Sequence, residues 1–594
     1  MDAMTRLTPV PAGPLPNGDE DISFNEVPFI GNFHKSLAHN EFGEVDAGQY
    51  ETFRRICDGT DPVHGGDFEG VGSGPLAFLP HQTPLPPSVA AAAKLTTPQA
   101  GRATDRLGPN PADVDMQPPP GVLSHSTAAE KTELLWMARL RDVPFDLLPG
   151  TPDFAEALGD VRAAMQFALD NDDAAAQPGR LRLGTDLPSA GGVLDLTPHT
   201  LFRCGLKDED KGPLVSQFFL HDINYGAQLI KQTQVPYRAG RDYLTDHRHW
   251  LLAQNTGLDE DGDAYGQDND YMKDPAAYED PPAPDAPLSR FRIRNMRDLA
   301  RFVNRDALHQ AYFNAALQLL NWGAPVDEGN PYKAYKRQAG FATLGGPNLL
   351  SLVSEVASRA LKVVWRQKWL VNRRLRPEAY GGLMQMQKLG YDGNCRDYGL
   401  PGWVFETVAA RRSVERYGTH FLPIAFSAGS PTHPAYGAGH ATVAGACVTI
   451  LKAWFDEDQK IKPLMQNAPQ LDPVSRAGLW QPANHPPGGD LPLYTGTDGI
   501  LMTVGGELNK LACNVAMGRS MGGVHWRTDN TRSLRLGEQV ATIILKRQNK
   551  GYAEQPLSLG YTNFDGNHVT IQSGAVTVDD DPELTAFYAK AEFA

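Results

Sequence analysis

The segment Pro431-Thr-His-Pro-Ala-Tyr-Gly-Ala-Gly-His440 places two histidines in a turn rich in glycine and proline. An apolar stretch, residues 441–455, follows at once with the spacing of a buried helix. A helix that begins at Gly439 and His440 directs unpaired backbone N–H groups at whatever lies in front of it. The segment therefore predicts an anion-binding helix start beside an imidazole that exchanges protons near neutral pH.

Helical periodicity extends on both sides of this segment. A capping-box pattern from Thr127 to Glu130 predicts a helix that runs to about Asp142. Apolar residues at three- and four-residue spacing predict further helices at residues 153–170, 296–322, 346–375, 402–417, 440–455, 498–517 and 533–547. Alternation at residues 568–572 and 575–578 predicts a small hairpin. We expect an all-α protein with long irregular connections and a small peripheral β-hairpin.

The N-terminal region differs in composition from this helical remainder. Residues 71–120 contain eleven prolines, which predict extended segments and turns. This arm, residues 1–122, is either a linker or a wrapping arm that makes oligomer contacts. Residues 123–594 form the helical body, and its catalytic core is expected at about residues 290–547.

The chain is acidic overall, with a net charge of −15 at pH 7. This charge argues against nucleic acid or an anionic membrane as the main partner. Because the sequence has no membrane-span-like apolar run and no classical signal peptide, we expect a soluble protein, cytoplasmic or of unknown compartment. The acidic insertion at residues 258–287 is either a solvated loop or a structural Ca²⁺ site that lacks the EF-hand spacing.

Two cationic segments accompany the opening stretch. Residues 362–376 contain no acidic residue and six cations: Lys362, Arg366, Lys368, Arg373, Arg374 and Arg376. They form either a solvated basic face or, as the interleaved apolar residues favour, a buried helix whose cations need an anion. Lys368 and Arg376 are expected on one side of a helix that ends by Pro377.

The second cationic segment runs from Gly518 to Asp529. Asp529 lies four residues after His525, close enough on a helical turn to accept the imidazole Nδ1–H. That hydrogen bond leaves Nε2 as an outward ligand or nucleophile. Arg519 adds a guanidinium suited to tetrahedral oxyanions.

Together the three segments predict one pocket for a highly charged, phosphate-shaped oxyanion. Its cations are Lys368, Arg376 and Arg519. Gly439 and His440 provide its helix-start N–H groups, and its histidines are His440 and His525. His525 is the candidate ligand or nucleophile, and His440 is the candidate acid–base group.

These residues resemble the motifs of the vanadium-dependent haloperoxidases and, behind them, of the type 2 phosphatidic acid phosphatase superfamily. That superfamily carries a Lys…Arg-Pro segment, a Pro-Ser-Gly-His segment and an Arg-x5-His-x3-Asp segment in this order. Here they read Lys368…Arg376-Pro377, Gly437-Ala-Gly-His440 and Arg519…His525…Asp529. The stretch Phe341-Ala-Thr-Leu-Gly-Gly-Pro347 is similar to the bromoperoxidases of red algae and cyanobacteria in particular.

The resemblance implies a vanadate-dependent bromoperoxidase. Vanadate would be bonded to His525 and held by Lys368, Arg376, Arg519 and the Gly439 N–H. His440 would accept a proton from hydrogen peroxide, Lys368 would polarise the bound peroxide, and His433 would tune the pocket. Bromide or iodide would then be oxidised to hypohalous acid, which halogenates small organic acceptors. The family fold is a pair of four-helix bundles, and relatives form homo-oligomers, so a dimer or dimer-based dodecamer is expected.

One departure from the family pattern leaves alternatives open. Ala438 stands where the family carries a serine that donates a hydrogen bond to vanadate, a contact worth about 0.5–1.5 kcal/mol. We expect vanadate binding to survive this loss. The main alternative is a soluble acid phosphatase with His525 as phosphohistidine nucleophile and His440 as general acid. A non-catalytic oligomeric binding protein is favoured by Ala438 alone.

Overall fold

The computed structural model describes residues 23–24, 27–58, 92–105, 107–114, 116–172, 186–187, 189–190, 193–266, 278, 288–469 and 471–591. Helices dominate these residues, as the periodicity predicts. They are α1 (Ala47–Asp58), α2 (His125–Leu140), α3 (Pro152–Asn171), α4 (His247–Thr256), α5 (Met296–Arg305), α6 (Gln310–Asn321), α7 (Gly346–Arg366), α8 (Pro377–Lys388), α9 (Val408–Tyr417), α10 (Gly439–Trp454), α11 (Ile461–Asn467), α12 (Pro473–Arg476), α13 (Val504–Met521), α14 (Arg527–Gly551) and α15 (Pro582–Lys590).

The strands are short, antiparallel and peripheral. They are β1 (Ser23–Phe24), β2 (Val27–Pro28), β3 (Ser189–Ala190), β4 (Val193–Leu194), β5 (Ile223–Tyr225), β6 (Gln228–Ile230), β7 (Ser558–Thr562), β8 (His568–Gln572) and β9 (Ala575–Val578). The predicted hairpin is confirmed as β8 and β9, with Gln572 opposite Ala575. The structure adds β7 on the other side of β8, so the hairpin belongs to a three-stranded sheet.

Helix α10 lies at the centre of the core. It packs against α7, α13 and α14, and almost all of its residues are buried. Two glycines permit the close approach of α14: a Cβ at Gly445 would meet the Leu534 carbonyl at 2.0 Å, and one at Gly537 would meet the Thr442 carbonyl at 1.9 Å. A larger side chain at either position would therefore separate the two helices.

The predicted helices 296–322 and 346–375 are each interrupted. Asp306 ends α5 with an extended backbone, and α6 begins at Gln310. Helix α7 ends at Arg366 and continues as a π-helix, Gln367–Asn372, before Arg373 turns into the left-handed region with φ 35°. Pro377 then opens α8, because its fixed φ suits a first helical turn. The expectation that one helix carries both Lys368 and Arg376 is therefore wrong.

The described part of the N-terminal arm packs on the body of its own chain. Phe33 and Phe53 enclose Trp369 of the π-helix, with ring centroids 5.8 Å and 6.1 Å away. The buried Lys35 ammonium donates to the Glu378 carboxylate at 2.8 Å. Helix α1 was not predicted. The segment 59–91, which includes part of the proline-rich stretch, lies outside the described residues.

Two further expectations concern local capping and membrane association. The predicted capping box is wrong, because Ser124 is the N-cap residue of α2 and accepts from the Thr127 N–H at 3.1 Å. Glu130 binds Arg374 instead. Among the described residues no helix is both long enough and apolar enough to cross a membrane.

Candidate active site

Three helix starts meet at one buried place. Arg376 precedes α8, Ala438 precedes α10 and Trp526 precedes α14, each with the extended backbone of an N-cap residue. Helix N-termini carry partial positive charge and unpaired N–H groups. Their convergence raises the local potential in a chain that is acidic overall.

Lys368 lies on the π-helix with its side chain fully buried. Its ammonium donates to the carbonyls of Pro434 at 2.8 Å and Ala435 at 3.2 Å. Burial and the nearby guanidinium groups of Arg376 and Arg519 lower its pKa well below the usual value. These two carbonyls thus hold the Lys368 side chain in place, but they carry no negative charge that would neutralise its ammonium.

Arg376 connects two of the three histidines of the pocket. Its Nη1 donates to His525 Nε2 at 3.0 Å, and its Nη2 donates to His433 Nδ1 at 2.9 Å. The Val524 carbonyl accepts from Nη1 at 2.7 Å. Burial, with Arg519 nearby, lowers the pKa of Arg376 to about 9.

Arg519 occupies the last turn of α13. Its Nη1 donates to the Val303 carbonyl at 2.7 Å and to the Tyr265 hydroxyl, and the guanidinium lies 5.2 Å from the Tyr265 ring centroid. Its buried Nε has no hydrogen-bond partner within the described ranges. An unused donor on a buried guanidinium is one that an additional acceptor can satisfy.

These three cations share one property: within the described part of the chain, Lys368, Arg376 and Arg519 form no ion pair with a carboxylate. Buried charges normally have a partner of opposite sign, because desolvation without one is expensive. Three uncompensated cations around one imidazole therefore fit a bound oxyanion.

His525 is fixed by partners on both ring nitrogens. Its Nδ1 lies 2.9 Å from Asp529 Oδ2, as the four-residue spacing predicts, so Nδ1 donates and Nε2 keeps the lone pair. The other Asp529 oxygen accepts from Arg374 at 2.8 Å. Burial, followed by Arg376 and Lys368, lowers the pKa of His525 well below 6.5, so the ring is neutral at pH 7.

His440 has a partner that the sequence analysis missed. Its Nε2 lies 3.0 Å from Asp306 Oδ1, and a neutral ring that donates from Nε2 carries its lone pair on Nδ1. Burial lowers the pKa of His440 even though Asp306 raises it. No local pattern marks Asp306, since it lies in the break after α5 and 134 residues from its partner.

The remaining predicted residues lie around this centre. His433 is half-buried, accepts from Arg376 and has its ring centroid 5.2 Å from that of Trp365. Gly439 is the first helical residue of α10, where a Cβ would come 3.3 Å from the Trp365 ring. Ala438 is fully buried, and its N–H donates to Ser533 Oγ at 2.8 Å.

The calcium prediction finds no further support. Asp259 Oδ1 accepts from the backbone N–H groups of Asp261 and Asp263, and Ser427 donates to Oδ2 at 2.6 Å. No group of three or more His, Cys, Asp or Glu side chains suited to a metal ion occurs among the described residues. Much of the acidic insertion, residues 267–277 and 279–287, is not described.

Three bromoperoxidases are similar in sequence to this chain over most of its length. Vanadium-dependent bromoperoxidases of Corallina pilulifera and Corallina officinalis are each 32% identical to it, over 93% and 94% of this chain and 94% of each relative. The bromoperoxidase of Ascophyllum nodosum is 30% identical over 94% of this chain and 89% of its own. The chain belongs to the vanadium-dependent bromoperoxidase family.

Two further comparisons agree with membership of the bromoperoxidase family. The family model for the VCPO second helical-bundle domain matches residues 360–553, which include every predicted cation and histidine of the pocket. The solved homohexameric vanadate-dependent bromoperoxidase AnII of Ascophyllum nodosum superimposes with a TM-score of 0.73 at 27% identity. That match covers 96% of this chain and 89% of AnII.

Proposed function

We propose that the protein is a vanadate-dependent bromoperoxidase that oxidises bromide or iodide with hydrogen peroxide and halogenates organic acceptors. Family membership over nearly the whole chain supports this function. The observation that carries the assignment to this pocket is the set of three buried cations near His525, Lys368, Arg376 and Arg519, which have no carboxylate partner among the described residues. Bound vanadate supplies a Lewis acid that activates peroxide toward halide without a change of metal oxidation state.

The pocket residues divide into a ligand and its electrostatic support. His525 Nε2 is the proposed vanadium ligand, because Asp529 keeps the proton on Nδ1. Lys368, Arg376 and Arg519 are proposed to hold the oxyanion through charge-assisted hydrogen bonds, together with the Gly439 N–H. Arg376 Nη1 lies 3.0 Å from His525 Nε2, so its guanidinium would lie beside an oxyanion held at that nitrogen.

His440 is proposed to move the proton of hydrogen peroxide. A neutral imidazole with its lone pair on Nδ1 is a base, and Asp306 stabilises the imidazolium that forms. Lys368 is proposed to polarise bound peroxide. His433, hydrogen-bonded to Arg376, is proposed to tune the proton affinity and halide preference of the pocket.

The finer architecture and the assembly are also proposals. Packing of α10 with α7, α13 and α14 supports one four-helix bundle, and the family resemblance supports a second one. AnII of Ascophyllum nodosum is homohexameric, and we propose that this chain also forms a homo-oligomer, either a dimer or a dimer-based dodecamer, with contacts from the arm 1–122. Size-exclusion chromatography with light scattering measures the assembly directly, and a monomer at micromolar concentration contradicts it.

The functional test compares two reactions of one preparation. Apo-protein loaded with vanadate is expected to brominate monochlorodimedone when bromide and hydrogen peroxide are both present. If the protein is instead an acid phosphatase, it is expected to hydrolyse p-nitrophenyl phosphate, and vanadate is expected to inhibit that hydrolysis. Phosphate-ester hydrolysis without bromination overturns the proposed function.

A further inference from the structure

A second cavity lies beside the proton-transfer pair. Its volume is about 350 Å³, which falls within the usual range of small-molecule sites. Its walls come from α5 and from segments 231–235 and 288–293, and Asp306 forms part of the lining. The apolar and aromatic part of the described wall consists of Phe219, Val235, Tyr278, Leu288, Ile293 and Phe302.

The charged part of the wall is cationic. Among the described lining residues the basic side chains are Lys231, Arg290, Arg301 and Arg305, and Asp306 is acidic. Lys231 forms an ion pair with Asp222. Of these described cations, we therefore take Arg301 as the candidate anion-binding group, in a chain whose net charge is −15.

Arg301 is the most informative of these residues. Its guanidinium lies 5.3 Å from the Tyr237 ring centroid and 5.8 Å from that of Tyr278, so aromatic contacts position it. Its Nη1 donates to Gln234 Oε1 at 3.3 Å, whereas its buried Nε has no hydrogen-bond partner among the described residues. No carboxylate pairs with it in the described ranges. A carboxylate from outside would fit a guanidinium held in this way.

Asp306 joins this cavity to the oxyanion pocket. Its Oδ1 is hydrogen-bonded to His440 Nε2 at 3.0 Å, while its Oδ2 is buried and has no partner in the part of the chain that the structure describes. A hydroxyl group within the cavity is a suitable donor for that oxygen. Asp306 therefore connects the cavity wall to the proposed catalytic imidazole of His440 through a single hydrogen bond.

We propose that this cavity binds the organic acceptor, and that the acceptor is a small phenolic carboxylate such as a hydroxybenzoate. Arg301 binds the carboxylate, the apolar wall contacts the ring, and the phenol hydroxyl lies toward Asp306. The proposal rests on the proposed function for its supply of hypobromous acid. Bromine transfers from HOBr to the ring carbon beside the hydroxyl: the C–Br bond forms, the O–Br bond breaks, and the displaced ring proton joins hydroxide as water.

The test is a binding measurement without turnover. Vanadate-loaded enzyme is titrated calorimetrically with 4-hydroxybenzoate and with 4-hydroxybenzamide, which has nearly the same shape without the charge, in the absence of bromide and peroxide. We expect the acid to bind at least tenfold more tightly than the amide. Arg301→Gln is expected to abolish that preference and Arg301→Lys to retain part of it, whereas Arg411→Gln, an exposed arginine of α9, leaves it intact.

The outcomes separate this proposal from the proposed function. Equal affinity for acid and amide, or an unchanged preference in Arg301→Gln with native circular dichroism, overturns the acceptor site. Release of vanadate during the titration overturns it as well, because the acid then binds in the oxyanion pocket. Loss of bromination activity alone contradicts the proposed function and leaves the calorimetric result standing.

Discussion

The chemistry of His525 depends on a chain of three side chains. Arg374 donates to one oxygen of Asp529, and the other oxygen accepts from His525 Nδ1 and from the Trp526 N–H. Arg374 also binds Glu130 at 2.9 Å, which anchors the chain to α2. Each link removes a degree of freedom from the imidazole, so Nε2 is presented in one orientation.

Asp529→Ala is expected to weaken vanadate binding about 10- to 100-fold, because the Nδ1 tautomer is no longer fixed. Equilibrium dialysis of the apo-protein measures the dissociation constant. Asp565→Ala, which removes an exposed carboxylate paired with Arg535, serves as the matched control and leaves the constant unchanged. Equal constants in the two variants would show that the Asp529 hydrogen bond has no part in the site.

Ala438→Ser tests the departure from the family pattern. One additional neutral hydrogen bond is worth about 0.5–1.5 kcal/mol, so vanadate affinity is expected to rise by up to about tenfold. The hydroxyl also has the alternative of capping α10, because Ala438 is its N-cap residue and provides no side-chain cap. A higher melting temperature with unchanged vanadate affinity assigns the hydroxyl to the helix and contradicts the expected contact.

At this scale the sequence predicts contacts within one turn and misses those between distant elements. The His525–Asp529 hydrogen bond follows from four-residue spacing. The Asp306–His440 pair joins residues 134 positions apart, and no periodicity specifies it. Nor does spacing predict that Tyr265 accepts from Arg519, since the fold alone brings these elements together.

At the scale of elements, the interruption between α7 and α8 determines the directions from which Lys368 and Arg376 reach the site. The π-helix and the left-handed Arg373 redirect the chain, so that Lys368 and Arg376 approach His525 from different elements. Apolar spacing continues through this region, and the sequence therefore predicts one uninterrupted helix. The N-terminal arm stabilises the break, because Phe33 and Phe53 pack on Trp369.

The Lys35–Glu378 pair tests whether the arm is part of the folded body. Lys35→Met leaves Glu378 buried without its cation and is expected to lower the free energy of unfolding by about 3–5 kcal/mol. Lys231→Met breaks a pair in which the lysine is 63% exposed, so its expected cost is below about 1 kcal/mol. Urea unfolding compares them, and equal costs contradict a docked arm.

At the scale of the whole molecule, sequence patterns and tertiary packing explain different features. Amphipathic periodicity predicts the helices that build the core, including α3 and α10 to within one residue at each end, whereas α14 begins six residues earlier and ends four residues later than predicted. The pocket could be predicted only from the order of three separated motifs together with the family resemblance. The additional cavity had no sequence signal, because its lining comes from segments scattered between Phe219 and Gln310.

Buried neutral histidines make stability depend on pH. Burial lowers the pKa of His39 to about 4 and, with Arg292 as a lesser cause, that of His221 to about 3. The unfolded chain binds these protons near pH 6.5, so stability is expected to fall as the pH decreases from about 6.5 toward 4. Urea midpoints between pH 7 and 4.5 measure the slope.

His221→Gln is expected to make that decline shallower, because one proton-linked group is removed. His568→Gln, at an exposed position of β8, provides the control and keeps the wild-type slope. Identical slopes in all three proteins exclude His221 as a source of acid sensitivity.

Vanadate binding to His525→Ala is the most direct measurement of the central claim. Equilibrium dialysis is expected to give one vanadate per chain for the wild type and for His568→Ala, and a dissociation constant at least about a hundredfold higher for His525→Ala, because the proposed vanadium ligand is lost. Wild-type affinity in His525→Ala, with native circular dichroism, contradicts the assignment of this pocket as the vanadate site.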